Sequence, residues 1–135
     1  MAVMCLTAEY ITINASDLKT YVKKAELTVE VDDLETTNFA SAGWKEVIGG
    51  LKSGTLAITA NDDFAASQLD SIIWPLLGTV VLFEVRPTQG AASTSNPKFT
   101  GSVMINSTTA GGDVGSLAEK DFSFPTSGAV TRATS

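Results

Sequence analysis

The chain has 135 residues, enough for a single domain with one hydrophobic core, and its 15 acidic against 9 basic residues give a net charge of −6. This balance excludes nucleic-acid binding through neutralised phosphates, which needs clustered Lys and Arg. The sequence contains no histidine, the commonest general base and metal ligand, and its single cysteine, Cys5, excludes an internal disulfide.

Short β-strands are predicted wherever polar and apolar residues alternate, because successive side chains of a strand point to opposite faces. Over residues 25–32, Leu27 and Val29 face one way, whereas Glu26 and Glu30 face the other. Similar patterns predict further strands over 10–13, 55–60, 81–86, 98–105 and 117–124. We therefore predict a mainly β protein in which one face of the sheet is polar and contacts water or a dissolved partner.

Residues 33–53 lack a sustained period of either kind and are predicted to form one long loop. Such a loop inside a compact domain is usually functional or disordered. Disordered linkers avoid large apolar side chains, yet this segment contains Leu34, Phe39, Trp44, Val47, Ile48 and Leu51. We therefore expect the loop to dock on another surface.

One helix is predicted over about residues 62–75. Asn61, Asp62 and Asp63 offer capping oxygens and favourable charge at its N-terminus. An apolar stripe follows at helical spacing, and Pro75 and Gly78 end the helix.

No group of residues assembles a catalytic or metal site. Asp32, Asp33 and Glu35 crowd carboxylates of the kind that Ca²⁺ favours, but they lack the spacing of a calcium loop. A solvated strand end is therefore the better interpretation. The glycine-rich turn 111–116 lacks the Gly-Lys-Ser/Thr ending of a phosphate-binding loop. We expect a protein that is not an enzyme and that takes no metal or cofactor.

The order of the pieces resembles the major tail tube proteins of long-tailed bacteriophages, of the siphophage type, especially those of actinobacterial phages. An acidic alternating strand is followed by Thr-Thr-Asn-Phe-Ala-Ser, Trp-Lys-Glu and Gly-Leu-Lys-Ser-Gly. Asn-Asp-Asp-Phe-Ala, Trp-Pro-Leu and Asn-Pro-Lys-Phe-Thr come next. The resemblance spans residues 10–132.

This resemblance implies one tail tube domain over 1–135, a β-sandwich or split barrel with one flanking helix, a stacking loop at 33–53 and flexible termini. It implies homohexameric rings that stack into a tube, through which double-stranded DNA passes without specific binding. The implied negative channel lining comprises Glu26, Thr28, Glu30, Thr55, Thr59, Glu84, Thr100 and Ser102. The implied contacts between rings or subunits are Leu34, Phe39, Trp44 and Ile48.

The other implied partners are tail proteins: the tape measure, the terminator and the baseplate or tip. The implied location is the phage virion after assembly in the host cytoplasm, and no membrane partner is expected because no apolar run is long enough to span a bilayer. The alternatives are a tail terminator, a head decoration protein, a subunit of a secretion-system tube, or a β-sandwich module that binds carbohydrate or a cell surface.

Overall fold

A computed structural model describes residues 3–135, so the first two residues of the N-terminal segment predicted to be flexible lie outside the described part. The strands are β1 (Tyr10–Ile13), β2 (Ser16–Asp17), β3 (Val22–Glu35), β4 (Val47–Asn61), β5 (Val80–Arg86), β6 (Lys98–Met104), β7 (Glu119–Pro125) and β8 (Thr131–Ala133). A short helix, α1 (Leu69–Ile73), and two 3₁₀ turns, Phe39–Ser41 and Trp74–Leu76, complete the regular structure.

The strands form two antiparallel sheets. One has five strands in the order β2-β1-β5-β6-β8, and the other has three in the order β3-β4-β7. Their apolar faces are buried in a single cluster that also receives α1. Ile11 and Phe83 contribute from the five-stranded sheet, and Leu56 and Phe124 from the three-stranded sheet. The predicted mainly β class with one flanking helix is confirmed.

The prediction of an irregular loop over residues 33–53 is wrong for both ends of the segment, which belong to strands. β3 and β4 remain paired as far as Glu35 and Val47, so residues 36–46 alone connect them. A register shift between Val31 and Asp33 interrupts the ladder near Gly49 and Gly50. Since this part of the hairpin is not covered by the core, burial does not impose the alternation from which strands are predicted.

The helix begins later than predicted. Asn61 is the last residue of β4, and the backbone N–H of Asp62 still donates to the carbonyl of Ala118, which extends the sheet. Ser67 has a φ of 64°, which an α-helix cannot accommodate, so α1 starts only at Leu69. The Asn-Asp-Asp sequence therefore belongs to a strand end and a turn, where Asp63 Oδ1 accepts a hydrogen bond from the N–H of Ala65.

The segment after Pro125, predicted to be flexible, contributes a strand. β8 pairs with β6 through Lys98↔Ala133, Phe99↔Arg132 and Thr100↔Thr131. The N–H of Ser127 also donates to the carbonyl of Ser102. This return of the chain places β8 at the edge of the five-stranded sheet.

Candidate functional site

The outer half of the β3–β4 hairpin has no sheet behind it. β7 pairs with β4 only between Thr55 and Asn61, whereas β3 and β4 continue together as a two-stranded ribbon. We call residues 29–54 the hairpin arm. At a rise of about 3.3 Å per residue, the stretch from Val29 to Glu35 extends the arm by roughly 20 Å.

The hairpin arm exposes large apolar side chains along its whole length. The exposed fractions range from 47% for Val31 to 108% for Phe39. The set comprises Val29, Val31, Leu34, Phe39, Trp44, Val47, Ile48 and Leu51. An isolated two-stranded ribbon is marginal in water, and exposed apolar clusters mark interaction sites. The arm is therefore a candidate contact surface, and it carries all the predicted contact residues: Leu34, Phe39, Trp44 and Ile48.

The tip of the arm is held in shape by its own hydrogen bonds. Asn38 Oδ1 accepts from the N–H of Ala40 at 2.9 Å, and Ser41 Oγ accepts from the N–H of Asn38 at 3.1 Å, which forms a capping box. Thr37 Oγ1 accepts from the N–H of Glu46 at 2.8 Å. The tip thus presents Phe39 and Trp44 from an ordered turn.

The polar outer face of the three-stranded sheet brings together five of the residues predicted to line a channel: Glu26, Thr28, Glu30, Thr55 and Thr59. Thr28 and Thr55 are directly opposite in the ladder, and Thr59 Oγ1 donates to Asp121 Oδ1 at 2.8 Å. We call this surface, together with Asp121 and Ser123 of β7, the acidic face. Lys24 Nζ lies 3.9 Å from Glu26 Oε1, so one cation partly offsets its carboxylates.

The remaining predicted channel residues, Glu84, Thr100 and Ser102, lie on the five-stranded sheet. Glu84 and Thr100 are paired, and their side chains lie on the strand face opposite to the buried Phe83 and Val85. Since the core lies between the two sheets, this surface and the acidic face point in opposite directions. The residues predicted to line one channel therefore do not share one surface of the subunit.

The charge of Glu84 is matched within its own sheet. Arg86 Nε lies 3.5 Å from Glu84 Oε2, and the Arg86 guanidinium stacks 3.8 Å from the centroid of the Tyr10 ring. Both charged side chains are largely covered. This face consequently offers little uncompensated negative charge.

Sequence reasoning missed Lys120, a fully buried charge of the described chain. It occupies an inward position of β7 beside Phe122, and its side chain is 0% exposed. Its Nζ lies 3.0 Å from Asp70 Oδ1, 3.0 Å from Thr108 Oγ1, 2.7 Å from the Thr109 carbonyl and 3.5 Å from Asp62 Oδ2. The sequence feature that could have revealed it is its position: Lys120 alternates in step with Phe122 and Phe124, the buried residues of the strand.

Glu9 lies beside the acidic face, in a cleft of about 520 Å³ that Glu26 also lines. Burial raises the pKa of the Glu9 carboxyl above its ordinary value of 4.5, and the negative charge of Glu26 raises it further. We expect Glu26→Gln to lower the pKa of Glu9 without removing the effect of burial. An NMR pH titration of the Glu9 side chain measures this shift, and an unchanged pKa would contradict the contact.

The same shift predicts a pH dependence of stability. The folded state holds the Glu9 proton more tightly than the unfolded state, so this contribution is complete below pH 4.5 and is lost as the pH rises through the folded-state pKa. Glu9→Gln keeps a neutral side chain at every pH. The melting temperature of Glu9→Gln minus that of the parent chain should therefore increase as the pH is raised from acidic values to pH 7.

Within residues 3–135, no group of His, Cys, Asp or Glu side chains is arranged to hold a metal ion. The helical segments of this part of the chain are all too short or too polar to cross a membrane.

Comparisons with known proteins support the fold. No protein-family model matches the chain, and no curated protein matches it. A chain in the virion of a native gene transfer agent particle is similar, with a TM-score of 0.73, 18% identity, and coverage of 93% of this chain and 95% of that one. A chain in the tail of an empty gene transfer agent particle, refined with helical and C6 symmetry, gives a TM-score of 0.69 and 15% identity, with 92% of each chain covered. At these identities, the chain shares the fold of particle and tail components.

Proposed function

We propose that this chain is the tube subunit of a siphophage-type tail, which assembles into hexameric rings that stack into a channel for DNA. The observation that carries the proposal is the hairpin arm, whose apolar side chains have no cover in the isolated chain. The likeness in fold to a chain of a C6-symmetric tail supports the sixfold ring. In this proposal the protein is structural and not an enzyme.

The arm acts by inserting into the neighbouring ring. An arm that projects from one side of a subunit meets a different surface on its neighbour, so the contact is heterologous and can repeat without closing. Such contacts along the tube axis give an open polymer. Phe39 and Trp44 at the tip are the proposed anchors, since aromatic side chains dominate the binding energy of most interfaces.

Exposed strand edges support lateral assembly within a ring. β3 has 14 residues and pairs only with β4, which leaves its other backbone edge free within the described structure. Long unpaired edges recruit further strands. A neighbouring subunit that pairs with this edge would continue the sheet around the ring and remove the aggregation hazard.

The acidic face is the surface that we assign to the channel. Glu26, Glu30 and Asp121 repel phosphate, and repetition around each ring would build a like-charged wall. At physiological salt the screening length is about 8 Å, so the wall acts on DNA only when the duplex comes close to it. Its role is therefore to prevent adsorption. The tape measure, terminator and tip proteins are the further partners that a tail implies, and the virion is the location.

Electron microscopy of the purified full chain tests the proposal directly. We expect hollow rings or tubes in negative stain, and a sedimentation profile that shifts to larger species as the concentration rises. Replacing residues 36–46 by an Asn-Gly turn provides a matched variant that keeps both sheets but removes the tip. Trimers or single rings that do not stack would indicate a decoration protein or a terminator, and a monomer that binds glycans would indicate a carbohydrate module.

A further inference from the structure

Lys120 lies beside two carboxyl groups, those of Asp62 and Asp70, whereas a simple ion pair needs only one. Lys120 and Asp62 both have 0% exposed side chains, and Asp70 is 29% exposed. Neither carboxylate oxygen of Asp62 accepts a hydrogen bond, although Lys120 Nζ lies 3.5 Å from Oδ2. A buried carboxylate without hydrogen-bond donors is costly, so the site lacks the contacts that normally stabilise a buried ion pair.

The β-ladder holds the amine and this carboxyl group together. Lys120 is paired with Ala60, and the N–H of Asp62 donates to the carbonyl of Ala118 at 2.9 Å. Lys120 and Asp62 are therefore diagonal neighbours on one face of adjacent antiparallel strands, within reach of each other. Fixing two reacting groups in this way greatly raises their effective concentration.

We propose that Lys120 and Asp62 condense to an intramolecular isopeptide bond. The Asp70 carboxylate, 3.0 Å from Lys120 Nζ, relays one proton from the Lys120 ammonium to an oxygen of the Asp62 carboxylate, which leaves a neutral amine beside a neutral acid. The amine nitrogen attacks Asp62 Cγ, and the new N–C bond forms as the carbonyl π bond opens. Asp70 relays a second proton from that nitrogen to the departing hydroxyl, the C–O bond breaks, the carbonyl forms again, and one water leaves. Asp70 ends as the carboxylate it was at the start, so an ammonium and a carboxylate give an amide and water without an oxidant or a co-reactant.

The surroundings of the pair suit this reaction. The Phe64 ring lies 5.7 Å from Lys120 Nζ, and Ala60 and Leu69 are fully buried in the adjacent core. Such a site excludes the water that would otherwise solvate the ammonium and favour hydrolysis. Thr108 Oγ1 and the Thr109 carbonyl accept hydrogen bonds from Nζ, which orients the amine. The product would tie β7 covalently to the end of β4.

The intact mass of the purified full chain, measured after denaturation, tests the proposal. We expect a mass lower than that of the sequence by one water molecule, and a branched peptide that joins Lys120 to Asp62 after proteolysis. Asp62→Ala removes the carboxyl group and should retain the full mass of its sequence, and Asp70→Asn should slow the condensation. A wild-type mass equal to that of the sequence overturns the proposal.

Lys120→Arg is the matched control, because it keeps the buried charge and removes the nucleophilic amine. This variant should retain the full mass of its sequence. A loss of water that persists in Lys120→Arg would instead identify a cyclic imide at an Asp or Asn, and that result would also overturn the proposal. The mass measurement does not depend on assembly, so its outcome is independent of the proposed tail function.

Discussion

Replacing Phe39 and Trp44 together by alanine is expected to abolish tube formation while leaving the subunit folded. Phe39 is 108% and Trp44 79% exposed in the isolated chain, so their removal costs no internal packing. Truncating an aromatic anchor at an interface typically costs about 2 kcal/mol or more. Two anchors lost from every contact would weaken each contact by roughly a thousandfold, because about 1.4 kcal/mol corresponds to a factor of ten.

The measurement is the protein concentration at which tubes appear, followed by sedimentation and negative-stain microscopy. Thermal unfolding of the monomer should match that of the parent chain. Val114→Ala with Leu117→Ala is the matched control, since these side chains are 104% and 68% exposed but lie outside the arm. Tubes formed by the Phe39 and Trp44 variant at the parental concentration would refute the role of the arm tip.

The strands of this fold can be predicted from the sequence where the core buries one of their faces, because burial imposes an alternation of apolar and polar residues. Leu56 and Ile58 alternate with Thr55 and Thr59 because one side of β4 is buried and the other is wet. The contrast between a buried and an exposed face produces the alternation from which these strands are predicted. In residues 47–53 of β4, within the hairpin arm, no core covers either side and Gly49 and Gly50 lie at the register shift, so the sequence predicts a loop for this part of the strand.

The helix start shows a different limit. Asn61, Asp62 and Asp63 have the side chains of a helix cap, but the carbonyl of Ala118, directly before β7, accepts a hydrogen bond from the Asp62 N–H. Sheet pairing between residues distant in sequence overrides a local capping preference. Lys120, which also lies on β7, explains why Asp62 is buried at all. The sequence around Asp62 shows neither the carbonyl that its N–H pairs with nor the lysine that it contacts, because both are distant along the chain.

For the candidate site, the sequence predicts which side chains of each strand are exposed, but not which of these exposed side chains form one surface. Alternation correctly separates Glu30 from Val31 within a strand, and Glu84 from Val85 within another. It does not tell which strands share a sheet, so Glu26 and Glu84 were assigned to one face although the core lies between them. Asp121 joins the acidic face through β4–β7 pairing, which only the tertiary structure reveals.

Reversing the charge of the acidic face, with Glu26→Lys and Glu30→Lys, is expected to yield tubes that assemble normally but retain double-stranded DNA. Both side chains are exposed on the outer face of β3, so the fold loses little. The contact between Lys24 and Glu26 is an exposed ion pair, whose loss costs at most about 1 kcal/mol. Each new lysine in the channel would neutralise a phosphate and release its counterion, which turns a repelling wall into a binding one.

Retention is measured by co-sedimentation of tubes with a duplex at increasing salt. Counterion release predicts that DNA bound to the variant tubes dissociates steeply as salt rises, whereas parental tubes retain none at any salt. Glu30→Lys and Asp113→Lys change the net charge equally, and Asp113 is exposed in the loop between β6 and β7, outside the strands that form the acidic face. If retention follows Glu30→Lys alone, position rather than net charge is responsible. If both variants retain DNA equally, the assignment of the acidic face to the channel fails, because a charge on the channel wall must act more strongly than one elsewhere on the subunit.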